Sequence, residues 1–598
     1  MSVGFDSSAD PVLPAHAAPA WSDEVDIVVA GSGAAGLVSA LASVEAGARV
    51  VVLEKGAVIG GTTAKSAGGM WIPNNHHMRR RGVADPHDEA MAYMARTSRP
   101  DRYAPLAAHA GLPEWEYDLL EVLYAEGSRA LESLERIGGL RTMPLADLTN
   151  YYTEIAEDTV PYGRSLCPEG SDGEPADGPE MVRQLASAFE RRGGRLRLEH
   201  RVVSAATDET GRVIGVVADA GGRLLAIRAS RAVIFATGGF AHNRDLCDSY
   251  LPGPVFGGCA ALTNEGDFVP IAHKLGAAMR NMNQAWNAPL VLERALRRDP
   301  TLTSTFNIVG DGLLAVNRHG VRAMNEKAVY NEAVFPMFAW DGVRCEYPNL
   351  LMFPIWDRHT AEEFAGTPYD GGLIPGPGAD TSHVVSGATL EDLAARLDAR
   401  LGELAGATGG VRLADGFADR LLETVERFNE FARCGRDLDF RRGESLVERH
   451  MFGLAATAAR IGSASPSAVA ASGSGSAEPA PGAESRVGGA SERAGRDPNL
   501  TMRPLSPSGP YSASIIAPGT LDTKGGPMVN RHGQALNAAR APIPGVYAVG
   551  NCAGSPTARG YWGAGATLGP IVTLAWLAGR HAAGGGDRDS SAAGALTA

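Results

Sequence analysis

The chain has 598 residues, of which 44% are hydrophobic and 21% charged, as expected for a globular protein that is too long for a single core. A net charge of −13 argues against a nucleic-acid-binding protein, which usually carries a basic face. The six cysteines are scattered without a C-x-x-C pair, so neither a metal site nor a disulfide framework is predicted. The chain has no stretch of about 18 apolar residues and its first 24 residues lack the pattern of a signal peptide, which predicts a cytoplasmic protein without a transmembrane segment.

A strand–helix–strand unit is the first predicted element, between about Val25 and Glu54. Its glycine turn reads Gly31-Ser32-Gly33-Ala34-Ala35-Gly36. Gly31 permits the tight turn, Gly33 lets the backbone approach a phosphate, and Gly36 lets the helix lie close to the strand. The N–H groups at the helix start suit a pyrophosphate, and Glu54 ends the second strand, where it can accept hydrogen bonds from a ribose. This unit predicts a dinucleotide site.

The middle of the chain predicts further helices and strands. Residues 86–139 are mainly helical by their apolar periodicity, and residues 195–236 read as strands punctuated by Gly and Asp. Residues 288–450 lack a dinucleotide pattern and mix short strands with helices, among them Leu390–Leu404 and Phe417–Cys434.

Residues 462–497 differ in composition from everything before them. Ser, Ala, Gly, Pro and Glu dominate, and large apolar residues are almost missing. Such a segment cannot bury enough surface to offset its ordering entropy, which predicts a disordered insertion. Order is expected again from about Asn499, and residues 585–598 are predicted to form a flexible tail.

Four glycine-rich segments beyond the opening turn narrow the dinucleotide to FAD. They run from Gly60 to Trp71, at Ala236-Thr237-Gly238-Gly239, at Gly545–Asn551 and at Gly563–Pro570, where the last helix opens. A flavin with a phosphate tail needs such small, hydroxyl-bearing runs, and the last helix start would stabilise negative charge on a reduced flavin. The predicted cofactor-binding residues are Gly31, Ser32, Gly33, Ala34, Ala35, Gly36, Glu54, Lys55, Gly60, Gly61, Thr62, Thr63, Ser66, Ala67, Gly68, Gly69, Met70, Val203, Ala236, Thr237, Gly238, Gly550, Asn551, Gly565, Ala566, Thr567 and Leu568.

Because these segments come from both chain ends, the sequence predicts an α/β fold with a Rossmann-like FAD-binding domain and an inserted α+β substrate domain. The expected boundaries are 22–287 and 498–584 for the two parts of the FAD-binding domain, 288–461 for the catalytic domain, 462–497 for the insertion and 585–598 for the tail.

The same motifs make the chain resemble the 3-ketosteroid Δ1-dehydrogenase branch of the FAD-dependent fumarate reductase/succinate dehydrogenase flavoprotein superfamily. The resemblance rests on the glycine segments above and on Gly163-Arg164-Ser165, Asn325-Glu326-x-x-x-Tyr330 and Asp522-Thr523-Lys524-Gly525-Gly526. It implies non-covalent FAD and oxidation of a carbon–carbon bond next to a ketone, in a 3-ketosteroid or similar polycyclic substrate. A base takes the proton alpha to the carbonyl, a hydrogen-bond donor polarises that carbonyl, and flavin N5 accepts the hydride. A quinone or oxygen is the expected external electron acceptor.

The resemblance also implies roles for individual residues. Tyr330 corresponds to the proton-abstracting tyrosine, with Tyr152 or its neighbour Tyr151 in support. The carbonyl-polarising tyrosine of the family falls on Ser512, with Tyr511 one place earlier, on the opposite face of a strand. Either Ser512 donates the hydrogen bond, or a local bulge brings Tyr511 into position.

Two other functions compete with this reading. The first is a reductase of an unsaturated carboxylate or enone, in the manner of fumarate reductase, with Arg322 and Arg559 as candidate carboxylate clamps. The second is a flavin-binding protein that has lost catalysis, which the serine at position 512 would permit.

Overall fold

The computed structural model describes residues 10–145, 148–303, 305, 308–367, 370–461 and 499–584. They group into two compact units. Unit 1 comprises the described residues within Met1–Pro252, Ala260–Trp286 and Leu521–Ala598, and unit 2 comprises those within Gly253–Cys259 and Asn287–Thr520.

The strands are numbered in chain order, and β12 and β17 each run across the division between the units. They are β1 (Val12–Pro14), β2 (Trp21–Ala30), β3 (Val50–Leu53), β4 (Met70–Trp71), β5 (Thr142–Pro144), β6 (Ser165–Pro168), β7 (Arg195–Arg197), β8 (Arg201–Thr207), β9 (Val213–Asp219), β10 (Leu224–Phe235), β11 (Met279–Arg280), β12 (Ala285–Val291), β13 (Leu313–Val316), β14 (Phe353–Asp357), β15 (Val385–Gly387), β16 (Tyr511–Ala513), β17 (Ile516–Thr523), β18 (Gly526–Pro527), β19 (Gln534–Leu536) and β20 (Pro542–Ala548).

The α-helices are numbered in the same way. They are α1 (Ala34–Glu45), α2 (His76–Arg80), α3 (His87–Ser98), α4 (Glu114–Arg136), α5 (Gly178–Arg191), α6 (Arg244–Tyr250), α7 (Phe268–Lys274), α8 (Leu292–Leu296), α9 (Tyr330–Ala333), α10 (Arg358–Phe364), α11 (Leu390–Glu403), α12 (Ala405–Thr408), α13 (Phe417–Cys434), α14 (Leu446–Ile461) and α15 (Leu568–Ala582). Among the described helices, none has the length and apolar character needed to cross a bilayer.

Unit 1 is built on a nine-stranded sheet in the order β1-β8-β9-β10-β2-β3-β7, with β20 beside β10 and β19 beside β20. Strands β20, β10, β2, β3 and β7 run parallel. The central strands are continuous apolar runs because helices cover both faces of such a sheet. In register, Leu53 pairs with Ala30, Ala30 with Phe235, and Phe235 with Ala548. Four parallel strands therefore end in one row, and the loops that follow them share one edge.

Unit 2 is an α+β unit built on the antiparallel sheet β13-β14-β16-β15. Apolar side chains of α11 and α13, such as Leu397 and Phe428, pack with Ile355 and Ala513 on one face. On the other face, Trp356 and Leu313 belong to a second apolar cluster that includes Ala333 of α9. The sheet is therefore covered on both sides.

The predicted fold class is confirmed: a Rossmann-like α/β unit is built from both chain ends around an inserted α+β unit. The unit boundaries differ from the expected ones in three places, the first of which is that Gly253–Cys259 groups with unit 2. β1 joins the sheet by pairing with β8, ahead of the expected start at residue 22. Residues 499–520 group with unit 2 rather than with the FAD-binding part, because β16 pairs with β14 and β15. The expected insertion at 462–497 and the tail at 585–598 lie outside the described residues.

Candidate functional site

A groove crosses the edge of unit 1 where β20, β10, β2 and β3 end. The space between its walls is about 740 Å³, open solvent included. It is lined by Ala30, Gly31, Ser32, Gly33, Ala34, Ala35, Leu53, Glu54, Lys55, Gly61, Thr62, Thr63, His200, Val202, Ala236, Thr237, Gly238, Thr263, Asn264, Asp267, Asp522, Gly550, Asn551 and Ile571. Parallel α/β sheets bind dinucleotides at this edge.

The glycine turn between β2 and α1 forms the middle of the groove. Gly31 has φ +106°, and a Cβ there would lie 2.3 Å from the carbonyl oxygen of Ala236. A Cβ on Gly36 would lie 1.9 Å from the Gly31 carbonyl oxygen, so Gly36 serves the packing of helix against turn. A Cβ on Gly33 would meet nothing closer than 3.5 Å, which leaves room for a ligand at the start of α1.

The Gly60–Thr63 run folds back onto this turn. The Gly60 N–H donates to Ser32 Oγ at 3.0 Å, and the Ala34 N–H at the start of α1 donates to Thr63 Oγ1 at 3.0 Å. Thr62 Oγ1 accepts from the side-chain amide of Asn264 at 3.2 Å. The run therefore shapes the groove by side-chain hydrogen bonds that no local pattern predicts.

Glu54 lies at the β3 end of the groove. Its Oε2 accepts from the Ser32 N–H at 3.0 Å and from Ser32 Oγ at 2.5 Å, and its Oε1 accepts from the Gly56 N–H at 2.7 Å. Lys55 also lines the groove, but its ammonium is bound by Glu265 at 3.0 Å and Asp267 at 2.9 Å. The charge of Lys55 is thus already matched within the protein.

Asp522 lies at the opposite end of the groove; it belongs to the Asp522–Gly526 motif but not to the predicted cofactor-binding residues. It is 2% exposed. Its Oδ2 accepts from Asn264 Nδ2 at 2.7 Å, Asn551 Nδ2 at 2.9 Å and the Gly239 N–H at 3.1 Å, and its Oδ1 accepts from the Thr523 N–H at 2.8 Å. Burial raises the pKa of Asp522 to about 6, although the hydrogen bonds from Asn551 and Gly239 oppose this rise.

Some predicted cofactor residues lie apart from the groove lining. The segments Ser66–Met70 and Gly565–Leu568 meet each other instead: a Cβ on Gly565 would lie 2.3 Å from the Met70 backbone nitrogen. Val203 is the extra residue where the register between β8 and β9 shifts, and its neighbour Val202 lines the groove. Contact of these residues with FAD stays a prediction.

Tyr151 and Tyr152 lie in unit 1 beside a segment around Tyr561 that carried no sequence motif. The Tyr151 and Tyr561 rings are 5.4 Å apart, and the Tyr561 N–H donates to the Tyr152 hydroxyl at 3.2 Å. Thr567 Oγ1 donates to the Tyr561 hydroxyl at 3.4 Å, at the start of α15. Trp286 stands 4.9 Å from Tyr561 ring to ring. Unit 1 therefore holds an aromatic cluster next to the last helix start.

Tyr330 is the first residue of α9 in unit 2 and is 3% exposed. The residues that precede it in its motif hold the loop in place. Glu326 Oε1 accepts from the Ala315 N–H of β13 at 3.1 Å, and Glu326 pairs with Arg322 at 2.7 Å and Arg442 at 3.3 Å. The pKa of Glu326 is lowered to about 2 because the neighbouring arginines outweigh its burial.

Tyr511 and Ser512 lie on opposite faces of β16. The strand pairs regularly, Tyr511 with Asp357 and Ser512 with Trp356, so no bulge turns Tyr511 round. Tyr511 belongs to the core beneath α11 and α13, and its hydroxyl donates to the Ser506 carbonyl at 2.8 Å. Ser512 shares the sheet face of Trp356 and α9, and its Oγ lies 2.9 Å from Ser386 Oγ. The strand therefore has no bulge of the kind that the Tyr511 alternative requires, and a catalytic role for either residue stays a prediction.

Arg322 is not available as a carboxylate clamp. Its guanidinium is buried and pairs with Glu326 and with Asp437 at 2.8 Å, and it lies over the Phe428 and Phe440 rings. The candidate role of Arg322 in a fumarate reductase-like reaction is therefore wrong.

His76, His77 and Glu135 are grouped closely enough to hold a metal ion. Their contacts already form a chain: His76 Nε2 is 3.2 Å from Glu135 Oε1, Thr142 Oγ1 donates to the same oxygen at 2.9 Å, and His77 Nε2 lies 3.0 Å from Thr142 Oγ1. Three arginines and Glu132 line the pocket beside Glu135, and Arg79 pairs with Glu132. We assign no metal to this group.

The groove fits FAD on structural grounds. A glycine cradle and a helix start suit a pyrophosphate in the middle, and an acid at each end suits hydroxyl-bearing groups. The family model described as FAD binding domain matches residues 26–568. The chain belongs to this family of FAD-binding flavoproteins and is an FAD-dependent oxidoreductase.

Two relatives support the same assignment, and a solved structure shares the fold. The 4-oxocyclohexanecarboxylate 2-dehydrogenase of Sinomonas cyclohexanicum is 31% identical and matches 94% of this chain and 93% of its own length. A 3-oxosteroid 1-dehydrogenase of Mycobacterium tuberculosis is 30% identical, with coverages of 94% and 98%. The 3-ketosteroid Δ1-dehydrogenase from Sterolibacterium denitrificans, solved in complex with 1,4-androstadiene-3,17-dione, has the same fold, with a TM-score of 0.74 at 23% identity over 94% of this chain and 100% of that chain.

Proposed function

We propose that this protein desaturates a ring carbon–carbon bond next to a ketone, and that the substrate is a 3-ketosteroid or a similar polycyclic ketone. The observation that carries the proposal is the match over full length to relatives at 30% and 31% identity, both named as dehydrogenases of cyclic oxo compounds. The dinucleotide groove of unit 1 and the buried Tyr330 of unit 2 support it.

Residues of the chain have separate tasks in this reaction. Tyr330 removes the proton alpha to the carbonyl, and the Ser512 hydroxyl donates a hydrogen bond that stabilises the developing enolate. FAD, when bound, supplies the two-electron acceptor for the hydride. A free tyrosine has a pKa of about 10, so Tyr330 needs a partner that relays its proton; this support by Tyr152 or Tyr151 stays a prediction.

The test is anaerobic mixing of the purified holoprotein with single compounds while the visible absorbance of oxidised flavin is recorded. We expect 4-androstene-3,17-dione to bleach the flavin and to yield a product that is two hydrogens lighter. Fumarate added to the reduced protein should leave the flavin reduced. Reoxidation by fumarate, with no bleaching by any ketone, would replace this proposal with the reductase function.

A monocyclic oxo acid is the second candidate substrate. The relative at 31% identity is named for 4-oxocyclohexanecarboxylate, which has the same ketone on a single ring. Bleaching by 4-oxocyclohexanecarboxylate but not by the steroid would keep the reaction and change the substrate class.

The proton-abstracting role is tested by Tyr330→Phe. We expect the variant to retain bound FAD and to lose flavin reduction by at least about a hundredfold, as general-base removal typically does. Tyr347→Phe is the matched control, because Tyr347 lies in the same unit and packs on Trp340 with ring centroids 4.9 Å apart. Near-normal reduction in Tyr330→Phe would remove Tyr330 from the mechanism.

Two finer points belong to the proposal. A quinone or oxygen reoxidises the flavin, as the sequence analysis expects. The proposed location is cytoplasmic.

A further inference from the structure

The groove of unit 1 carries one buried acid at each end. Glu54 follows β3 and Asp522 lines the groove with Gly550 and Asn551, which follow β20. The order β3-β2-β10-β20 across the row of strand ends separates the two outer strands by about 14 Å, three strand spacings. The glycine turn and the start of α1 lie between them, above β2.

The two carboxylates are held in the same way. Each accepts two backbone N–H groups from the loops around it, Glu54 from Ser32 and Gly56, and Asp522 from Gly239 and Thr523. Asp522 additionally orients two side-chain amides that line the groove, those of Asn264 and Asn551. A buried carboxylate that lines a ligand groove favours a ligand group that donates hydrogen bonds.

The position of Asp522 limits what that ligand group can be. The phosphates of a dinucleotide belong above β2, where the helix N–H groups of α1 begin, and a carboxylate would repel a phosphate placed beside it. FAD has hydroxyl groups at two places, the ribose of its adenosine half and the ribityl chain of its flavin half. Because Glu54 occupies the ribose end of the groove, Asp522 stands at the ribityl end.

We propose that Asp522 accepts a hydrogen bond from a ribityl hydroxyl of FAD and orients the Asn264 and Asn551 amides around the same chain. Its oxygen Oδ1 has a single donor among the described residues, the Thr523 N–H, and so has capacity for a ligand hydroxyl. Asp522 is a cofactor-binding and positioning residue, and the glycine motifs of the sequence give no sign of it. The proposal rests on FAD lying in this groove and is independent of the ketone substrate.

The test compares Asp522→Asn with Glu54→Gln in the full-length protein stripped of flavin. The probes are FMN, which carries the ribityl chain without adenosine, and ADP, which carries the ribose without flavin. We expect Asp522→Asn to weaken FMN binding by about tenfold or more, the usual effect of losing a hydrogen bond to a charged group, while ADP binding changes less than about twofold. Glu54→Gln should show the reverse pattern.

Two outcomes would overturn the proposal. Unchanged FMN binding in Asp522→Asn would show that the carboxylate does not meet the ribityl chain. Equal weakening of FMN and ADP binding would show that Asp522 supports the whole groove rather than one end of it.

The expected weakening of FMN binding should be accompanied by faster release of FAD from the Asp522→Asn holoprotein, which flavin fluorescence measures. If no ketone bleached the flavin, these binding results would not change. The proposal for Asp522 and the proposed dehydrogenase function can therefore be disproved independently.

Discussion

At the scale of single residues, β16 shows how strand alternation decides which side chain can act. Tyr511 faces α11 and α13, and its hydroxyl donates a hydrogen bond to the Ser506 carbonyl. Ser512 lies on the other face of the sheet, with Trp356 and α9. A serine hydroxyl is shorter than a phenol and less acidic. Under the proposed function, the ketone approaches β16 more closely than a tyrosine would require, or is bound at another angle.

This difference predicts unequal effects of two conservative variants. Ser512→Ala should lower the rate of flavin reduction by about a hundredfold, as removal of one carbonyl-polarising donor does, without a large change in stability. Tyr511→Phe should lose about 1 kcal/mol of unfolding free energy with its hydrogen bond to Ser506, and keep the rate. Stopped-flow reduction and chemical denaturation measure both quantities. If Tyr511→Phe slowed flavin reduction and Ser512→Ala did not, Tyr511 rather than Ser512 would be the carbonyl-polarising donor.

At the scale of elements, the loop between β13 and α9 explains why an acid stands four residues before Tyr330. Glu326 joins the loop to β13 through the Ala315 N–H and neutralises part of the charge of Arg322 and of the fully buried Arg442. Asn325 Nδ2 donates to Glu448 of α14 at 2.9 Å. The motif that marks the proposed catalytic tyrosine is thus largely a device that positions α9.

Glu326→Gln is expected to destabilise the protein strongly. Removing one partner of a buried ion pair costs about 3 to 5 kcal/mol of unfolding free energy, because Arg442 would keep an uncompensated buried charge. Asp439→Asn is the control, since Asp439 pairs with Arg427 at the surface, and its effect should be far smaller. Chemical denaturation curves of the three proteins measure the difference.

The same ion pairs predict a pH dependence. The pKa of Glu326 is about 2 in the folded protein, below its usual 4.5, so its contribution to stability is complete above pH 4.5 and is lost as the pH falls towards 2. The wild-type advantage over Glu326→Gln should therefore shrink in acid. An advantage that is constant across this range would contradict the low pKa.

At the scale of the whole molecule, two units with different cores share one chain that crosses between them four times. The last crossing lies at Thr520 and Leu521, inside β17. The Asp522-Thr523-Lys524-Gly525-Gly526 motif begins directly after it, which places Asp522 and the buried Lys524 in unit 1.

Residues 462–497 supply the prediction at this scale. Their composition cannot form a core, so deletion should leave FAD content and unfolding temperature unchanged within error. Flavin absorbance per protein and a thermal melt measure these two quantities, with a replacement by a Gly-Ser segment of equal length as the control. Loss of flavin from both variants would show that the segment contributes to the fold.

The sequence predicted the elements whose signals are local. The helices expected at Leu390–Leu404 and Phe417–Cys434 are α11 and α13 almost to the residue, because apolar periodicity and capping act within a few turns. The opening glycine turn was predictable for the same reason. Gly31 and Gly36 are required by close backbone contacts within one strand–helix unit and with its neighbouring strand.

Long-range neighbours decided the rest. Gly239, Asn264 and Asn551, far apart in sequence, converge on the Asp522 carboxylate in the groove. Arg322 is bound by the distant Asp437 as well as by the nearby Glu326. The sequence by itself determined an FAD-binding α/β protein, because glycine spacing and strand periodicity are properties of short segments. The side chains that come together in the groove and in the buried ion pairs belong to segments up to hundreds of residues apart. Only the tertiary structure could decide which of them meet, because that depends on packing between those segments.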